Sequence, residues 1–76
     1  MNAEARVWAA IMLARDVDTC DAILAGEPVI AARLDGECLR RALRGAPPPP
    51  TSEFITVTPE MLEAISAAGP LERHGR

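Results

Sequence analysis

The 76-residue chain has no lysine, no glutamine and no tyrosine, and it holds one Trp, one Phe and one His. With two large aromatics, any aromatic core is thin. A single histidine, His74, has no second imidazole to work beside, and Ser52 and Ser66 lie in no elbow or triad context. The two cysteines, Cys20 and Cys38, form no C-x-x-C pair, so the metal-ligand spacing of a zinc site is missing. No apolar run is long. The run "VWAAIMLA" (Val7 to Ala14) falls far short of the about 20 residues a membrane span needs, and no cationic leader precedes it. These absences set the expectation of a cytoplasmic protein with reduced thiols, without metal, cofactor or enzymatic activity.

What is present is alanine-rich, acidic overall and short. Fourteen residues are Ala, all eight cations are Arg, and the formal net charge is −3. Alanine favours helix but buries little area, and a chain this size buries only about 60% of its unfolded surface. The acidic balance weighs against nonspecific binding to phosphate backbones.

The pattern along the chain predicts a mainly α fold, a small α+β domain with four short helices and one short strand before the last of them. The first helix is expected over about Ala3 to Arg15 with Asn2 as N-cap. Val7, Ile11 and Ala14 form one stripe and Trp8 and Met12 a neighbouring one. No polar residue interrupts residues 7–14, so this helix needs cover on more than one side. A second helix is expected from Asp18 to Ala25, with Ile23 and Leu24 inward and Gly26 closing it. The segment "EPVIAARL" (Glu27 to Leu34) reads either as a brief edge strand or as a helix opened by Pro28, and "IAAR" inclines the reading to helix. Asp35 then caps a third helix that stops at Gly45, with Leu34 and Leu39 as a hydrophobic staple.

Pro47 to Pro50 form a semi-rigid spacer, dividing a helical unit (1–45) from a strand–helix unit (52–76) across residues 46–51, within one small domain. Beyond it, "EFITVT" is strand-forming, and Thr58, Pro59 and the Val57/Leu62 staple open the last helix. Met61, Leu62, Ile65 and Ala68 line its buried face, Gly69 and Pro70 end it, and a tail with His74 follows. A lone strand raises the question of its partner, which is either the 28–32 segment or another chain.

Two stretches resemble DNA-binding families. "ITVTPEMLEAISAAG" is similar to the opening of ribbon–helix–helix proteins, which implies a ribbon shared by two chains; its strand offers Glu53, Thr56 and Thr58 in place of cations. "PVIAARLDGECLRRALRG" resembles a helix-turn-helix, with Ala32 four residues before Gly36, and would present Arg40, Arg41 and Arg44 to phosphates or guanine edges.

The function expected from the residues is a non-enzymatic protein-interaction module, a small regulator or inhibitor that binds a larger protein, pairs with itself, or both. In size and composition it is like small accessory proteins of phages and mobile elements. Its candidate contacts are Val7, Trp8, Ile11 and Met12 on the first helix and Phe54, Ile55 and Val57 on the strand. The alternative is a DNA-binding regulator using Arg40, Arg41 and Arg44.

Overall fold

Four capped helices and a two-stranded antiparallel sheet make up the computed structural model, which describes residues 2–68, Ala68 by its backbone alone. Gly69, Pro70 and the tail with His74 lie outside the described residues, as does the buried-face assignment of the Ala68 side chain. Helix α1 spans Ala3–Leu13, and the Asn2 side chain accepts a hydrogen bond from the Ala5 amide at 2.7 Å. The helix ends two residues before the expected Arg15 because the chain enters a short bridge. There the Arg15 N–H donates to the Arg33 carbonyl at 3.1 Å, and the Asp35 N–H to that of Leu13 at 2.7 Å.

Helix α2 (Val17–Ala25) starts one residue before the expected position, because Asp16 is its cap: Asp16 Oδ1 accepts from the Thr19 amide at 2.7 Å. Gly26 closes it at φ 79°, with the Gly26 N–H on the Ile23 carbonyl and the Glu27 N–H on that of Ala22. This is the Schellman pattern, which asks for a residue without a Cβ. Ile23 is buried as expected, but Leu24 is exposed. Successive helical positions point about 100° apart, and a two-turn helix lying on one neighbouring surface hides only one of the two.

The segment after Gly26 is a correction to the helical reading. Pro28–Ile30 form strand β1, followed by a single 3-10 turn, Ala31–Arg33. Strand β1 pairs antiparallel with β2 (Phe54–Thr56), in the register Val29 opposite Ile55 and Ile30 opposite Phe54. The ladder continues with the Ala31 N–H on the Glu53 carbonyl at 2.9 Å and the Ala32 N–H on that of Thr51 at 3.0 Å. Helix propensity in "IAAR" amounts to tenths of a kcal/mol per residue. It loses to a pairing that satisfies several backbone groups at once and buries Val29. The strand partner is therefore intramolecular.

Helix α3 (Gly36–Leu43) is capped by Asp35, whose Oδ1 accepts from the amides of Glu37 and Cys38 at 2.9 and 3.1 Å. Leu34 and Leu39 are both buried, as a staple requires. The exit runs through two left-handed residues, Arg44 at φ 54° and Gly45 at φ 92°. The prolines that follow do not stand away from the domain. Pro48 and Pro49 line a hollow with Ala31, Leu34 and Leu39, and Glu53 N–H turns back onto the Pro50 carbonyl at 3.0 Å. Helix α4 (Pro59–Ala68) begins at Thr58, whose Oγ1 accepts from the Met61 amide at 3.2 Å, and Val57 and Leu62 are buried beside each other in sequence spacing as a staple.

Helix α4 lies across both α1 and α3, α2 packs on α1 and on β1, and one core joins the residues on both sides of the prolines. Leu13 and Ile65 are its largest wholly buried side chains. The fold is thus small α+β with the strand before the last helix, as the sequence pattern implies, plus a second strand.

Candidate functional site

Helix α1 meets the core through its small residues. Ala9, Ala10 and Leu13 are wholly buried, and Met12 is half-buried against the core. At 3.6 residues per turn, positions 4, 7, 8 and 11 fall on the opposite side. That side carries Val7, Trp8 and Ile11, which are 41%, 46% and 52% exposed. The usual amphipathic arrangement is reversed: two alanines let the neighbouring helices approach closely, and the large side chains remain outside.

Two shallow hollows flank Ile11. The larger, of about 740 Å³, is lined by Val7, Trp8 and Ile11 with Glu4 and with Ser66 of α4. The second, of about 370 Å³, is lined by Ile11, Ala14, Arg15, Val17 and Cys20 and by the acids Asp16 and Asp21. Val17 is 74% exposed as the first residue of α2. The apolar surface therefore runs on from α1 across Ile11 to Val17. Single exposed apolar residues are ordinary, but a contiguous patch of this kind marks interaction surfaces.

The strand residues divide. Val57 is buried and Ile55 half-buried, both committed to the chain's own core, whereas Phe54 is 63% exposed. Alternation accounts for this: Val29 and Ile55 share the inner face of the ribbon, and Ile30 and Phe54 the outer one. Of the seven contacts named from the sequence, Val7, Trp8, Ile11 and Phe54 are open to solvent, while Met12, Ile55 and Val57 largely are not. Val17 was missed because the second helix was expected to begin at Asp18. Recognising Asp16 as the cap makes Val17 the first helical residue, a position that projects outward.

The cationic alternative is dispersed. Arg40 pairs with Glu37 on its own helix at 3.1 Å, Arg41 is half-buried, and Arg44 sits in the turn after α3. Residues 28–30 are strand, so the first helix of the helix-turn-helix arrangement is absent, and β2 pairs with β1 of the same chain. The other ion pair among the described residues joins Arg33 to Asp16 at 3.4 Å. The Asp16 carboxyl is held below its usual range chiefly by the Thr19 amide, with the Thr19 hydroxyl and Arg33 assisting. Burial pushes the Cys20 thiol up, and Asp21 adds to it, which disfavours the nucleophilic thiolate. No disulfide links Cys20 and Cys38. Among the described residues no group of three or more His, Cys, Asp or Glu side chains could hold a metal ion, and no helix is long and apolar enough to cross a membrane. No protein-family model, curated protein or solved structure matches the chain.

Proposed function

We propose that the chain is a non-enzymatic interaction module that docks a protein through the outward face of α1 and regulates that protein by occupying its surface. One observation carries the reading: α1 hides Ala9, Ala10 and Leu13 and leaves Val7, Trp8 and Ile11 in water. Trp is the residue type most enriched at energetic centres of protein interfaces. Here it lines a hollow with Val7 and Ile11, and polar Asn2, Glu4 and Ser66 line it too. A mix of apolar and polar groups is the common anatomy of a protein–protein contact. Burying one such large apolar side chain contributes about 1.5–3 kcal/mol to a contact, and Trp8, which lies outside the core, can be replaced without emptying it.

The test is capture from the source lysate by wild-type chain and by Trp8→Asp, with circular dichroism to establish that both are folded. Loss of the captured protein with an unchanged spectrum is expected. Equal capture by the folded variant would overturn the assignment of this face.

A further inference from the structure

We propose that the outward face of α1 is the seat of a second copy of this chain, packed antiparallel about a two-fold axis that runs between the two helices at the level midway between residues 9 and 10. This rests on the docking reading above and names the partner. The charges at the two ends of the stripe point to that partner. Glu4 lies on the same side of α1 as Val7, Trp8 and Ile11, and lines the same hollow. Arg15, just past the C-terminal end of the helix, lines the next hollow with Ile11. Neither Glu4 nor Arg15 takes part in the two ion pairs formed among the described residues, which join Arg33 to Asp16 and Arg40 to Glu37.

An isologous contact requires that whatever one residue meets, the counterpart of that residue meets in turn. Reversal about a point between residues 9 and 10 sets Trp8 against the second copy's Ile11, and Ile11 against its Trp8. The same operation sets Glu4 against the second copy's Arg15, and Arg15 against its Glu4. One stripe thus satisfies the apolar centre and both charged ends together. Side-by-side parallel pairing would instead place Glu4 against Glu4 and Arg15 against Arg15, which like-charge repulsion disfavours. Glu4 and Leu13 are about 14 Å apart along the helix, Arg15 follows two residues on in extended chain, and a shallow crossing of about 20° keeps both ends within reach. Ala14 and Val17, which line the second hollow, extend the contact beyond α1. Asp16, already paired with Arg33, and Asp21 also line that hollow and face the approaching Glu4 as like charges, so the apolar contact of Trp8 with Ile11 holds the pair together and the ends chiefly set its direction.

The contact is small and belongs to the weak end of specific interfaces, with an expected dissociation constant on the order of 10 μM. Sedimentation equilibrium of the full chain, from about 1 μM to about 500 μM, brackets that value. Wild type is expected to pass from monomer to dimer, and Trp8→Glu to remain monomeric. Glu4→Arg and Arg15→Glu each turn two attractions into two repulsions, so each should raise the dissociation constant by roughly tenfold. An equimolar mixture of those two variants places opposite charges at both ends again, and the double variant Glu4→Arg/Arg15→Glu does the same. Both should return to within about threefold of wild type. All three positions lie on the surface, so folding is not at risk, and circular dichroism verifies it.

A wild-type chain that stays monomeric throughout overturns the second copy. So does a dimer indifferent to Trp8→Glu, which uses another surface, and so does a Trp8-dependent dimer that neither the mixture nor the double variant restores, which is arranged otherwise. If the chain is monomeric yet captures another protein in a Trp8-dependent way, the second copy alone is lost. If that capture also fails, the docking reading fails with it.

Discussion

Residues in the left-handed backbone region test the fold most sharply, because their energy is local and its sign can be worked out in advance. Gly26, at φ 79°, has nothing within 4 Å of where a Cβ would stand, so a Gly26→Ala change meets no obstacle and feels backbone strain alone. It is expected to destabilise by about 1 kcal/mol. Arg44 occupies the same region at φ 54° with a side chain attached. Arg44→Gly is expected to stabilise by about 0.5–1 kcal/mol, the relief of strain outweighing the added freedom of the unfolded chain. Urea denaturation of the two variants should show midpoints moving in opposite directions. Matching shifts would mean that the backbone at one of these turns is not the one described here.

At the scale of elements, the two-stranded ribbon is the piece on which the fold depends and which a sequence reading treats as doubtful. The register makes Val29 and Ile55 a hydrogen-bonded pair, since Ala31 and Glu53 form the next such pair two residues along. The Ile55 amide therefore points into the ribbon and the Phe54 amide away from β1. Ile55→Pro removes a ladder bond and is expected to cost about 1–3 kcal/mol, whereas Phe54→Pro leaves the ladder intact and should cost far less. Denaturation midpoints distinguish them, and equal losses would contradict the register. The same ribbon explains why the proline segment is held against the body of the domain. Pairing at Ala32–Thr51 on one side and the packing of α4 on α3 on the other leave the prolines a short path over Leu34 and Leu39.

On the scale of the whole molecule, the chain builds one adequate core and has apolar area left over. The core is fed by both sides of the proline segment, from Leu13 and Ile23 to Val57, Leu62 and Ile65. A small domain has only a few kcal/mol of net stability, so Ile65→Ala, which empties a wholly buried site, is expected to cost about 2–5 kcal/mol and to leave little folded protein. Trp8→Ala removes a much larger side chain and should change stability by no more than about 0.5 kcal/mol in dilute solution. Thermal denaturation of the two variants decides this. A large loss on removing Trp8 from a dilute sample would show that the side chain is structural and its face is not a docking surface.

Local rules were enough to locate four helices, the caps at Asn2, Asp35 and Thr58, the staples Leu34/Leu39 and Val57/Leu62, and the strand before the last helix. Each of these is a matter of neighbours within one turn of chain, and such interactions are written where they act. The sequence also pointed to an excess of apolar surface on the first helix, from the unbroken run Val7 to Ala14. Tertiary structure alone decided three further matters. It made 28–30 a strand, because a ladder with residues 24 to 28 places away outweighs local helix propensity. It kept Met12, Ile55 and Val57 for the chain's own core. And it chose which side of α1 goes inward: periodicity is blind to that choice when both sides are apolar, and the close approach allowed by Ala9 and Ala10 settles it in favour of the small side chains, leaving Val7, Trp8 and Ile11 to meet whatever comes from outside.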